Sequence, residues 1–319
     1  MIHSVEGPPD DSAGPLSGIV VPLVTPLTDR DVIDENGAAR LIEHVLAGGV
    51  AGLFLLGSTG EAPSLSYRLR RQFIRLACDI VDGNARILVG VTDTSFVETI
   101  ELAEVAKEAG ANAVVLSTPY YFPAGQTELV RYATHVAEQT PLPLMLYNMP
   151  SLTKVWFEIE TLKALVEQPK IIGVKDSSGD IDYFRRLVAL KSERPDWSIM
   201  VGPEVLLAES LRLGGDGGVN GGANVYPDLF VRYFEAIVAG NEDVANELGE
   251  LVTRFQEIYS VGKYASRFIK ATKCALSLRG ICSDQLAEPF NRFLPPERSR
   301  VEQILERLAP YIEAILAEA

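Results

Sequence analysis

The chain has few of the residues that build disulfide frameworks and metal centres. Three cysteines (Cys78, Cys274, Cys282) and three histidines (His3, His44, His135) are all that its 319 residues contain. No CxxC pair occurs, and an odd, widely spaced set of cysteines argues against a disulfide scaffold and for a reducing compartment. No HxH, HExxH or Cys/His cluster is present. His3 falls in the N-terminal tail, and His44 and His135 fall within expected helices. Metal-assisted hydrolysis is therefore not expected, and neither a metal nor a cofactor is implied. Positive charge is also scarce: 29 Lys and Arg stand against 43 Asp and Glu, a formal net charge of −14. Such a surface disfavours nucleic acid and anionic membrane as partners. No apolar run approaches the length of a membrane span, and the start MIHSVEGPPDDSAGPLSG lacks the basic head and apolar core of a secretory signal. A cytoplasmic protein acting on a small molecule is expected.

What is present is a rhythm. Residues 1–17 read as a flexible tail rich in Pro, Gly and Asp. From Gly18, short apolar runs recur every 18–34 residues, each followed by a stretch of helical periodicity. The runs are GIVVPLVTPL from Gly18, GLFLLG from Gly52, RILVGV from Arg86, AVVLSTPYY from Ala113, LPLMLYN from Leu142, IIGVKD from Ile171, SIMVGP from Ser198 and DGGVNGG from Asp216. In SFVETIELAEVAKEAG, Val97, Ile100, Leu102, Val105 and Ala106 recur near helical spacing opposite Glu98, Glu101, Glu104 and Lys107. Gly110 stands where a C-terminal cap is expected.

Runs apolar on both faces, alternating with helices, imply a parallel sheet covered by helices. Eight of them fit a closed (β/α)8 TIM barrel over 18–240 better than an open doubly wound sheet. The open sheet would ordinarily carry a dinucleotide fingerprint after its first strand, and VTPLTDRDVID is not one. Residues 241–319 read as purely helical, an extension packed on the barrel.

In such a barrel, chemistry sits where strands end. The sixth run ends in Val174-Lys175, a cation at the carboxyl end of an apolar strand. Desolvation lowers an amine's pKa, and a neutral lysine can attack a carbonyl carbon to form an imine. The plainer alternative is a lysine that reaches solvent or pairs with Asp176. The fifth run ends in Tyr147-Asn148, whose phenol could shuttle a proton or simply plug the barrel. The second ends in Gly57-Ser58-Thr59-Gly60-Glu61, a loop able to aim hydroxyls and backbone N–H groups at a carboxylate, or an ordinary turn. GGDGGVNGG (214–222) resembles a phosphate cradle but lacks a Lys-Ser/Thr partner, and is better read as a glycine-rich strand that substrate can approach closely. An amine, a phenol and a hydroxyl-rich loop at one mouth together suggest a Schiff-base lyase.

At these residues the sequence resembles the dihydrodipicolinate synthase/N-acetylneuraminate lyase family. The matching pieces are GSTGE at 57–61, STPYY at 117–121, YNMPS at 147–151, GVKDSSGD at 173–180 and GGDGGVNGGAN at 214–224. The resemblance implies a class I aldolase in which Lys175 forms the Schiff base with the 2-oxo carbon of pyruvate and Tyr147 is the general acid/base. It implies that Ser58 relays protons, assisted by Tyr121 from a neighbouring subunit. Thr59, with the backbone N–H groups of Ser58 and Thr59, would hold the pyruvate carboxylate, and the backbone near Asn220 would border the pocket. A homo-oligomer, dimer or tetramer, is implied too. One position departs from the synthases that make the lysine precursor: Leu152 stands where they carry an arginine for the carboxylate of aspartate semialdehyde. Leucine cannot supply a bidentate cation. That favours carbon–carbon or carbon–oxygen cleavage of a sugar-derived or other 2-oxo acid over 4-hydroxy-tetrahydrodipicolinate synthase activity. A non-catalytic 2-oxo acid binding protein is the reading from another class.

Overall fold

The computed structural model describes residues 15–317. Its eight parallel strands are Gly18–Pro22, Gly52–Leu55, Arg86–Gly90, Ala113–Ser117, Leu144–Asn148, Ile171–Asp176, Ser198–Val201 and Gly217–Val219. Each pairs with the next in sequence, and the eighth pairs with the first, so the sheet closes into a barrel. All eight apolar runs are strands, and closure rules out the open sheet. A short antiparallel hairpin, Leu27–Asp29 with Val32–Ile33, follows the first strand.

Alternation of side chains divides the apolar residues into two cores. Val20, Phe54, Leu88, Val115, Met145 and Met200 fill the barrel interior. Their neighbours Val21, Leu53, Val89, Val114, Leu146 and Ile199 face outward, into the layer packed by the helices. Helix Phe96–Glu108 buries Leu102, Val105 and Ala106, with Ser95 capping its start and Gly110 at φ +92 just past its end.

Two features depart from the sequence reading. Leu16 and Ser17, assigned to the tail, belong to the barrel: Leu16 is buried with the interior residues, and the Ser17 hydroxyl donates to the Asp216 carbonyl at 2.8 Å. A single buried side chain is invisible to a composition window dominated by Pro and Asp. Residues 1–14 of that tail, including His3, lie outside the described residues.

The other departure sets the direction of Lys175. Ile171 packs in the outer layer and Ile172 against the interior, so strict alternation would send residue 175 outward. The register with the fifth strand instead skips from Leu144↔Ile171 to Met145↔Gly173. This bulge places an extra residue in the sixth strand and reverses its parity, so Val174 faces out and Lys175 faces in beside Tyr147. Gly173 carries the bulge at φ +151, and a Cβ there would lie 2.0 Å from the Ser198 carbonyl oxygen.

Three long helices, Glu242–Phe255, Arg267–Leu278 and Pro295–Ala317, follow the last barrel helix, Pro227–Val238. The first of them runs into a 3-10 turn, Gln256–Ser260, which faces the barrel mouth with the start of the second. No described helix is long and apolar enough to cross a membrane.

Candidate active site

Tyr147 and Lys175 are register partners on adjacent strands, and both side chains point into the mouth. The lysine amine lies 4.0 Å from the centroid of the Tyr147 ring and 4.9 Å from that of Phe54. Lys175 is only 5% exposed, and burial pulls its pKa below the usual lysine value, opposed by the Tyr147 phenol and the Asp176 carboxylate. The two aromatic faces would favour an ammonium, but removal from water outweighs them.

Asp176 is not the partner of this amine. It accepts from Asn148 Nδ2 at 2.8 Å and from the Ser178 hydroxyl at 2.8 Å, and burial raises its carboxyl pKa. Asn148 in turn accepts the Phe157 backbone N–H at 3.0 Å through its side-chain oxygen. This polar network locks the ends of the fifth and sixth strands together and leaves the amine without a carboxylate partner among the described residues.

The Ser58 hydroxyl stands 3.5 Å from the Tyr147 hydroxyl, a long contact in which either can donate. Ser58 is half-buried and Thr59 buried, and both line the chamber of about 250 Å³ that holds Lys175 and Tyr147. Their loop turns through Glu61 at φ +59, whose N–H donates to the Ser58 carbonyl at 3.2 Å. The Glu61 carboxylate is fully buried, forms an ion pair with the equally buried Lys273 and accepts the Ala287 N–H at 2.9 Å. The C-terminal helices thus hold the loop from behind.

Of the remaining sequence candidates, Leu152 lies at the rim, 43% exposed, and lines a second chamber next to the first. Asn220 does not line either chamber. Its amide donates to the Gly202 carbonyl at 3.1 Å, while its neighbours Val219 and Gly221 border the lysine chamber. Tyr121 does not join the site of its own chain: it is 86% exposed at φ +81 and packs edge-on against the exposed Phe122. Tyr120 lines the second chamber instead.

Several site residues do not stand out in the sequence. Glu204, just beyond the seventh strand, is buried in the lysine chamber and accepts from the Gly222 N–H at 2.5 Å, Gln256 at 3.3 Å and the Tyr259 hydroxyl at 3.4 Å. Burial pushes its carboxyl up to about 7. Its place after a strand end is the one signal that points to it. Gln256, Tyr259, Phe268 and Thr272 come from the helical extension, where helical periodicity gives no sign of a site.

A buried amine beside a phenol, with no carboxylate partner among the described residues and a hydroxyl loop opposite, can form an imine and move protons around it. The family model for the dihydrodipicolinate synthetase family matches residues 15–308. The chain belongs to that family. It is 33% identical over 295 residues to the putative 2-dehydro-3-deoxy-D-gluconate aldolase YagE of Escherichia coli K12, covering 92% of this chain and 97% of that protein. Among solved structures, a dihydrodipicolinate synthase from Bacteroides thetaiotaomicron superposes with a TM-score of 0.89 at 48% identity, over 92% of this chain and 99% of that one. The crystal structure of YagE in complex with pyruvate superposes with a TM-score of 0.88 at 30% identity, over 92% and 98% of the two chains. The likeness therefore spans the barrel and most of the helical extension, as family membership requires.

Proposed function

We propose that this family member is a pyruvate-dependent class I aldolase, and that Lys175 is its covalent nucleophile. The observation that carries the reading is the inward-facing amine, buried against the Tyr147 ring and without a carboxylate partner among the described residues. Its relationship to an aldolase and to a pyruvate-bound structure supports the same chemistry.

The steps follow from the groups present. The neutral Lys175 amine attacks the 2-oxo carbon, and the former carbonyl oxygen leaves as water after protons pass from Tyr147, with Ser58 linking the phenol towards solvent. The resulting iminium draws in the electron pair of the C3–C4 bond. As the C4 hydroxyl gives up its proton to Tyr147, that bond breaks, an aldehyde departs and an enamine remains. Protonation at C3 and hydrolysis return pyruvate and the free lysine. In the reverse direction the enamine adds to the aldehyde. The backbone N–H groups of Ser58 and Thr59 and the Thr59 hydroxyl hold the carboxylate, which needs no side-chain cation there. Asn220 contributes through its strand, by fixing the chain that borders the lysine chamber.

We place the protein in the cytoplasm as a homo-oligomer. The exposed Tyr121–Phe122 pair, with ring centroids 5.0 Å apart, is suited to cover by a second copy and could deliver Tyr121 to a neighbouring site. Condensation of pyruvate with aspartate semialdehyde is the second reading, favoured by the 48% identity to a dihydrodipicolinate synthase and opposed by Leu152. The test is steady-state turnover of 4-hydroxy-2-oxo acids, following pyruvate release. Turnover by the wild type and none by Lys175→Ala is expected. Equal rates in both proteins would refute the assignment.

A further inference from the structure

Next to the lysine chamber lies a second cavity of about 340 Å³. The two share Ser58, Tyr147, Met149 and Phe268, so the phenol assigned to proton transfer sits on the boundary between them. We propose that the second cavity receives the aldehyde half of the substrate, and that this aldehyde is uncharged and largely apolar, aliphatic or aromatic. The proposal rests on the imine chemistry at Lys175 and specifies the partner that the enamine attacks.

The lining carries the argument. Its walls are mainly apolar, and Phe54, Met149, Leu152, Phe268, Ile269 and Phe290 are among the large groups that line it. No lysine, arginine or histidine lines it among the described residues, so a carboxylated aldehyde entering there would lose its hydration without gaining a cation. The one acidic side chain on the wall, Glu61, is already engaged by Lys273 and the Ala287 N–H, and is unavailable to accept from a sugar hydroxyl. Three further polar side chains on the wall already hold partners. The Thr153 hydroxyl donates to the Met149 and Val155 carbonyls at 3.2 and 3.1 Å, the Ser117 hydroxyl to the Thr118 carbonyl at 3.2 Å, and Thr92 accepts the Ser117 N–H at 2.8 Å. A polyhydroxylated chain would meet mainly apolar wall despite the hydroxyls of Ser58, Ser64 and Ser266, whereas an alkyl or phenyl group would displace water from it.

In the synthetic direction the enamine C3 forms a bond to the aldehyde carbon, the aldehyde oxygen takes the proton held by Tyr147, and water releases a 4-hydroxy-2-oxo acid with an apolar tail. The size of the cavity, roughly ten water volumes, admits a tail of several carbons.

The test measures kcat/KM for each aldehyde at saturating pyruvate, across a straight-chain series from acetaldehyde to pentanal and with glyceraldehyde and aspartate semialdehyde. Each added methylene is expected to raise kcat/KM about fourfold until the cavity is full, and pentanal should exceed both polar aldehydes by at least about tenfold. Leu152→Arg should lower the ratio of pentanal to aspartate semialdehyde by about tenfold or more. A flat methylene series, a preference for glyceraldehyde or aspartate semialdehyde, or a ratio unmoved by Leu152→Arg would each overturn the proposal. Borohydride trapping of pyruvate on the wild type is run alongside. A labelled Lys175 with the wrong aldehyde preference condemns only the acceptor assignment. An unlabelled lysine removes the imine chemistry and this proposal with it.

Discussion

Replacing Lys273 by methionine tests the claim that the helical extension holds the active-site loop through one buried ion pair. Both partners are fully buried, and Lys273 also donates to the Gln285 carbonyl at 2.7 Å. Burial pulls the Lys273 pKa down and the Glu61 carboxylate opposes that shift, so the ammonium depends on its partner. Methionine keeps the bulk of the chain but leaves the Glu61 carboxylate with the Ala287 N–H alone. Orphaning one member of a buried pair costs about 3–5 kcal/mol. At about 2 °C per kcal/mol for a chain of this size, the melting temperature should fall by roughly 6–10 °C. Since Glu61 ends the loop that carries Ser58 and Thr59, kcat should fall with it. Calorimetry and turnover of Lys273→Met, Glu61→Gln and the double variant measure both effects. The double variant should recover most of the stability, because no charge is left without a partner. A loss below about 1 kcal/mol in Lys273→Met, or strictly additive losses in the double variant, would refute the reasoning.

Other consequences are as direct. Tyr147→Phe keeps the ring against the amine but removes the proton carrier, and should reduce turnover by about 10²–10⁴-fold while pyruvate can still be trapped slowly; rapid-quench kinetics would show it, and unchanged turnover would exclude the phenol. Lys175→Met should raise the melting temperature at neutral pH. The folded pKa of Lys175 lies below 10.5, so the unfolded chain binds more protons and wild-type stability rises with pH between the folded value and 10.5. The gain from methionine should thus shrink towards alkaline pH, and a gain that grows with pH would contradict the depressed pKa. Gly173→Ala forces a Cβ to 2.0 Å from the Ser198 carbonyl at a φ unsuited to alanine, and should abolish pyruvate trapping along with several kcal/mol of stability. Normal trapping in that variant would show that the bulge does not set the direction of Lys175.

Much of the barrel and its mouth is legible in the amino-acid sequence. The strands show because each is a short apolar run bounded by turn residues, and Lys175, Tyr147 and Ser58 stand out as polar groups at or just after strand ends. What local patterns do not carry is anything set by a neighbouring strand or a distant helix. The parity of Lys175 depends on a register skip against Leu144 and Met145, and alternation along IIGVKD alone would turn the amine outward. The Glu61–Lys273 pair joins residues far apart in sequence, each of them ordinary in its own segment. Glu204, Gln256 and Phe268 meet at the mouth only because the extension folds back over it. Tyr121 shows the opposite limit: a family motif draws attention to a side chain that its own site does not contain.

The central claim is a covalent bond at one nitrogen. Borohydride reduction in the presence of pyruvate, followed by peptide mapping, should place a stable secondary amine on Lys175 in the wild type and on no residue in Lys175→Ala. A wild-type protein that turns over substrate yet carries no adduct on that peptide would contradict the account.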